Sequence, residues 1–128
     1  MAHVIYLDDS ERERANVAQV LEEAGYRVTA VASITGLEAL LPDTDLVLVD
    51  YHMPGMNGAE ALRALRAKSG DSGRLPPFYL YTSDKARGSE YRQLGFDGRI
   101  ILKGNPEALV KQVASALRIR ALRELGAR

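Results

Sequence analysis

Acidic and other polar residues stand where four apolar runs stop. Val4-Ile5-Tyr6-Leu7 ends in Asp8-Asp9, and Leu46-Val47-Leu48-Val49 ends in Asp50. The run from Phe78 to Tyr81 ends in Thr82-Ser83-Asp84, and Ile100-Ile101-Leu102 runs into Lys103. Carboxylates brought together repel, so such a group either keeps a proton or surrounds a cation. Carboxylate oxygens joined by backbone carbonyls and water suit a hard ion such as Mg²⁺. An ion and an ammonium can hold a phosphoryl group between them, and a carboxylate beside it can attack phosphorus to give an aspartyl phosphate. A plainer reading stays open: Asp8 and Asp9 cap a helix, and Asp50 begins a turn.

Those residues meet only if the chain brings the ends of the runs together. Strand-length apolar runs alternate with segments of helical period. Ser10 with Glu13 three residues on reads as a capping box, and Val17, Val20, Leu21 and Ala24 follow at helical spacing until Gly25. Tyr26 to Val31 reads as a second strand, and Ser33 opens a short helix carrying Leu37, Leu40 and Leu41 that Pro42 ends. Leu46 to Val49 is apolar at every position, as a parallel strand covered on both faces must be. The loop Met53-Pro54-Gly55-Met56-Asn57-Gly58 leads to a helix with Ala61, Leu62 and Leu65 inward. A weak helix containing Gly88 follows the fourth strand and ends at Gly95. Asn105 caps the last helix, with Pro106 at its first position and Leu109, Val110, Val113 and Leu117 buried.

This alternation predicts an α/β fold: a doubly wound (βα)5 sandwich of flavodoxin type, with a parallel five-stranded sheet in the order 2-1-3-4-5. That order sets the first and third strands side by side and gathers Asp8, Asp9 and Asp50 at one cleft. In open parallel sheets, ligands bind beyond the carboxyl ends of the strands.

Composition narrows the function. The 128 residues suit one domain, read here as residues 1–119, with 120–128 as a C-terminal helix end or linker. Arg118, Arg120, Arg123 and Arg128 read as a solvated helix end. There is no cysteine, which excludes a disulfide scaffold and thiolate catalysis and fits a reducing compartment. Seventeen basic residues balance seventeen acidic ones, so direct nucleic-acid binding is not expected. No apolar run approaches the roughly 20 residues of a membrane span, and Met1-Ala2-His3 leading into the first strand gives no expectation of a signal peptide. The expected location is cytoplasmic, with no membrane partner.

The motifs Leu7-Asp8-Asp9-Ser10, Val49-Asp50-Tyr51-His52-Met53-Pro54-Gly55-Met56-Asn57-Gly58 and Tyr81-Thr82-Ser83 resemble those of CheY-like receiver domains of two-component response regulators. The resemblance spans residues 3 to about 119. It implies that Asp50 is the phosphoacceptor and that Mg²⁺ is the cofactor. Asp9 would ligate the ion directly, Asp8 through water, and Asp50 and the backbone carbonyl of His52 would complete the protein ligands. Thr82 would bond a phosphoryl oxygen, and Lys103 would neutralise its charge. His52 and Asp84 would tune the lifetime of the aspartyl phosphate. The implied donors are a sensor histidine kinase, a histidine phosphotransfer protein or a small acyl phosphate. The chain would catalyse at most its own phosphorylation and dephosphorylation.

One segment departs from the pattern. Gly104 stands where the family places a proline after its lysine, and no aromatic lies between Gly98 and Lys103. Arg99 or Ile100 takes the place of the aromatic, and an ungapped alignment puts Leu102 at the family's lysine position. A bulge near Arg99 would restore the register. Two functions follow: a phosphorylatable receiver, or a pseudo-receiver that binds partners without phosphorylation.

Overall fold

The computed structural model describes residues 1–69, 75–100 and 105–126. Five parallel strands form one sheet in the order β2-β1-β3-β4-β5. They are β1 (His3–Leu7), β2 (Arg27–Val31), β3 (Leu46–Asp50), β4 (Phe78–Tyr81) and β5 (Gly98–Ile100). The helices are α1 (Glu11–Glu23), α2 (Gly58–Ser69), α3 (Lys85–Ser89) and α4 (Pro106–Gly126).

Side chains alternate across a strand, so each buried strand feeds two cores. Ile5, Leu7, Val47, Val49, Phe78 and Leu80 pack with Leu62 and Leu65 of α2 on one face. Val4, Tyr6, Leu46, Leu48 and Tyr81 pack with Leu21 of α1 and Leu109 and Val113 of α4 on the other. All five residues of β1 and of β3 are buried, as the apolar runs Val4–Leu7 and Leu46–Val49 require.

Three elements differ from the sequence expectation. The short helix after Ser33 is instead a pair of 3-10 turns, Leu37–Ala39 and Leu41–Asp43. Gly36 enters them with a left-handed φ of 76°, and Pro42 interrupts them. Too few residues lie between those two breaks for a regular α-helix. The weak fourth helix closes after one turn at Ser89, and turns carry the chain to Gly95 at φ 97°. The fifth strand begins at Gly98, and its pairing with β4 is regular from Tyr79↔Gly98 to Tyr81↔Ile100. No bulge interrupts those residues. The expectations for residues 101–104 lie outside the described residues.

The C-terminal helix end is solvated at Arg118 and Arg123, but Arg120 is held. α4 continues without a break to Gly126. The Arg120 guanidinium donates to the Thr44 carbonyl oxygen at 2.9 Å and pairs with Asp45 at 3.4 Å and Glu124 at 3.1 Å. Its side chain is only 11% exposed. This contact ties the end of α4 to the start of β3, at the amino end of the strands, opposite the acidic cleft. Arg120→Met is expected to cost about 1.5–3 kcal/mol, the usual worth of a hydrogen bond that involves a charged group. Urea denaturation measures the loss, and amide exchange should rise along residues 118–126.

Candidate functional site

β1 and β3 are neighbours in register, with Leu7 opposite Val49, so Asp8 and Asp50 leave adjacent strands side by side. Asp50 in turn pairs with Tyr81, which delivers Thr82 beside it. One carboxylate oxygen from each of Asp8, Asp9 and Asp50 lies within 4.8 Å of the others. Asp8 is 1% exposed, Asp50 6% and Thr82 3%, whereas Asp9 faces solvent.

Helix capping does not account for the acidic pair. Ser10 is the N-cap of α1, its Oγ accepting the Glu13 N–H at 3.2 Å. The Asp8 carboxylate lies outside that cap and accepts the Ser10 N–H on Oδ1 at 2.9 Å. Its other oxygen accepts the phenol O–H of Tyr6 in a short hydrogen bond. The Asp8 backbone is fixed as well: its N–H donates to the Val31 carbonyl at 3.1 Å, and Arg14 donates to its carbonyl at 2.8 Å. Burial, then the hydrogen bond to Asp8 and the charge of Asp8, hold the Tyr6 phenol far above the ordinary tyrosine range. It therefore remains a donor at any ordinary pH.

Gly58 sets the floor of the site. Its N–H donates to the Tyr51 carbonyl at 2.8 Å, which docks the start of α2 against the end of β3. A Cβ there would stand 2.8 Å from the Asp50 carbonyl oxygen and 3.0 Å from the Tyr51 Cα. Asn57 and Glu60 lock the same helix start reciprocally: Glu60 N–H donates to Asn57 Oδ1 at 2.9 Å, and Asn57 N–H to Glu60 Oε1 at 3.1 Å.

The remaining expected site residues are placed as follows. His52 stands on the loop leaving β3, its exposed ring edge-on to Tyr51 at 5.0 Å. The Thr82 hydroxyl accepts the Asp84 N–H at 3.0 Å, so Asp84 closes a tight turn beyond β4. Lys103 lies outside the described residues. The sequence reading passed over Tyr6, Arg14 and the Asn57–Glu60 cap. Strand parity between Tyr6 and Asp8, and the Asn-x-x-Glu spacing, carried the signal for two of them.

Hard oxygen donors, close-set and partly buried, are what a small divalent cation such as Mg²⁺ requires, so the residues present fit that ion. The same cleft opens at the carboxyl ends of the strands, where an open α/β sheet binds its ligand.

Residues 4–114 match the family described as response regulator receiver domain. The chain belongs to that family. Its receiver domain is 34% identical over 120 residues to the nitrate/nitrite response regulator protein NarL of Escherichia coli (strain K12), covering 90% of this chain and 54% of that protein. It is 42% identical over 72 residues to the two-component response regulator ORR6 of Oryza sativa subsp. japonica, covering 52% of this chain and 42% of the relative. The sensory/regulatory protein RpfC of Xanthomonas campestris matches at 36% identity over 86 residues, 63% of this chain and 11% of that protein. The receiver thus spans about half the length, or less, of these relatives. In three dimensions it resembles the chemotaxis protein CheY4 of Vibrio cholerae, with a TM-score of 0.76, 29% identity and coverage of 91% and 98% of the two chains. A CheY-like receiver domain from Methanospirillum hungatei shares the fold at 21% identity, with a TM-score of 0.76 and coverage of 96% and 98%.

Mutual repulsion of the three carboxylates is testable without any partner. Asp9→Asn removes the exposed charge and leaves the Tyr6 and Ser10 bonds to Asp8 in place. In metal-free buffer it is expected to raise stability by about 1 kcal/mol, read as a higher urea midpoint with an unchanged slope. Gly58→Ala acts oppositely: the forced shift of α2 from β3 is expected to cost about 1–3 kcal/mol, measured in the same denaturation.

Proposed function

We propose that this receiver accepts a phosphoryl group on Asp50. The observation that carries the reading is the set of three carboxylate oxygens within 4.8 Å, with Thr82 on the next strand. On this reading Asp9 and Asp50 would ligate Mg²⁺ directly, Asp8 would act through water, and the His52 carbonyl would supply a further oxygen. The ion offsets the negative charge that otherwise keeps a phosphoryl group away from a carboxylate. An Asp50 oxygen forms the new bond to phosphorus as the phosphorus–nitrogen bond of a phosphohistidine breaks, and the imidazole nitrogen keeps the electron pair. With a small acyl phosphate, the bond broken is phosphorus–oxygen and an acetate-like carboxylate leaves. The Thr82 hydroxyl bonds a phosphoryl oxygen, and Lys103 neutralises phosphoryl charge.

The donor on this reading is a sensor histidine kinase or a histidine phosphotransfer protein. On this reading the phosphorylatable unit is residues 1–119, with 120–128 as a C-terminal helix end or linker.

Arg99 gives the switch its own form. Arg99 or Ile100 stands where the family places an aromatic, and Arg99 hydrogen-bonds the Gly88 carbonyl at 3.2 Å and lies over the Tyr91 ring at 5.4 Å. Phosphorylation is therefore read out through Thr82 and the α3 segment rather than through rotation of a ring on β5. A pseudo-receiver that works unphosphorylated is the competing reading, favoured by Gly104 after Lys103.

One experiment separates them. Incubation with Mg²⁺ and acetyl phosphate should add one phosphoryl mass to the intact protein, and Asp50→Asn should abolish the addition. Beryllofluoride should change amide exchange chiefly across residues 82–95. An unmodified protein, under conditions that phosphorylate a control receiver, would establish the pseudo-receiver instead. A change centred on residues 98–100 would refute the proposed readout.

A further inference from the structure

Tyr6 is a buried polar group that touches the acidic cleft and has no part in the chemistry proposed above. It precedes Asp8 by two residues, so both side chains leave β1 on the same face. Its O–H donates to Asp8 Oδ2 while the Ser10 N–H donates to Oδ1 at 2.9 Å. One donor comes from the strand and one from the helix cap, and together they define the plane of the carboxylate.

The phenol is itself immobilised. Tyr6 is fully buried and packs edge-to-face on Tyr81, with centroids 5.7 Å apart and planes at 66°. Tyr81 is 2% exposed and directly precedes Thr82. The hydroxyl position is thus set by two packed rings that bridge β1 and β4 across β3. A purely apolar side chain would fill this core equally well, since only the hydroxyl reaches the cleft. Placing a phenol there carries the added demand of a partner for its O–H, and Asp8 supplies it.

We propose that Tyr6 is a positioning residue for the cation site: its phenol holds the Asp8 carboxylate in one orientation before an ion arrives. This deepens the reading of the cleft given above and rests on it. With Oδ2 and Oδ1 each engaged by a fixed donor, Asp8 is poorly suited to grip a cation with both oxygens at once. It serves instead through one oxygen or an ion-bound water, and leaves direct ligation to Asp9 and Asp50. Outer partners of this kind orient a ligand and commonly govern tenfold or more of metal affinity. Loss of the hydroxyl transfers the cost of orienting Asp8 to the binding step.

Tyr6→Phe removes one oxygen and keeps both rings. Mn²⁺ serves as the probe, with free ion counted by electron paramagnetic resonance on the full chain. The expected result is about tenfold weaker Mn²⁺ binding by Y6F than by the wild type. A purely structural role would lower the melting temperature and leave Mn²⁺ affinity unchanged, and that result overturns the proposal. Tighter binding by Y6F also overturns it, since the phenol would then compete with the ion. A wild type that binds no Mn²⁺ refutes the cation site itself, and the Tyr6 role with it. Should Y6F fail to fold, the wild type decides. Its Tyr6 ¹³Cζ resonance should move on saturation with Mg²⁺, and an unmoved resonance refutes the proposal.

Discussion

The domain is organised around an electrostatic cost that its own topology creates. Adjacent parallel strands that end in acidic residues bring like charges together, and two of the three carboxylates here are nearly sealed from water. Burial strengthens that repulsion because the medium screens less. The surrounding structure offsets it with oriented donors: the Tyr6 hydroxyl and the Ser10 amide both point at Asp8. A folded domain that tolerates this crowding holds charge in readiness for a cation, and its strain is relieved when positive charge enters. The zero net charge of the chain conceals this local imbalance, because the balancing cations lie elsewhere, several of them along α4.

Close packing of backbone against backbone is what keeps the cleft small. Gly58 brings the first turn of α2 against the last residues of β3, and the Asn57–Glu60 cap fixes where that turn begins. Any side chain at position 58 moves the helix away from Asp50. Rigid placement therefore comes from the absence of an atom as much as from the presence of bonds. The opposite end of the strands is held differently, by the long reach of a guanidinium from α4 to Thr44 and Asp45.

The fold was largely legible in the sequence because its strongest signals are local. Unbroken apolar runs such as Leu46–Val49 fit only a sheet covered on both sides, and the alternation of such runs with helical periods fixes the class. The gathering of Asp8, Asp9 and Asp50 followed from strand order alone. What escaped were contacts between residues far apart in sequence. Arg120 looked like one cation among several on a solvated helix, since nothing nearby marks it as the one that reaches Thr44. The helix expected after Ser33 failed because helical spacing of Leu37, Leu40 and Leu41 also suits successive 3-10 turns, and Gly36 and Pro42 decide between them. The sequence marks only that an aromatic is missing at Arg99 or Ile100, whereas the Arg99 bond to Gly88 and its place over Tyr91 make it a strap between β5 and α3.

The Tyr6–Asp8 contact has an optical consequence. The chain has six tyrosines and no tryptophan, so tyrosine dominates its near-ultraviolet emission. A phenol bonded to a carboxylate transfers its excited-state proton readily and emits weakly. One of the six chromophores is therefore quenched through its bond to Asp8, and breaking that bond would brighten the protein.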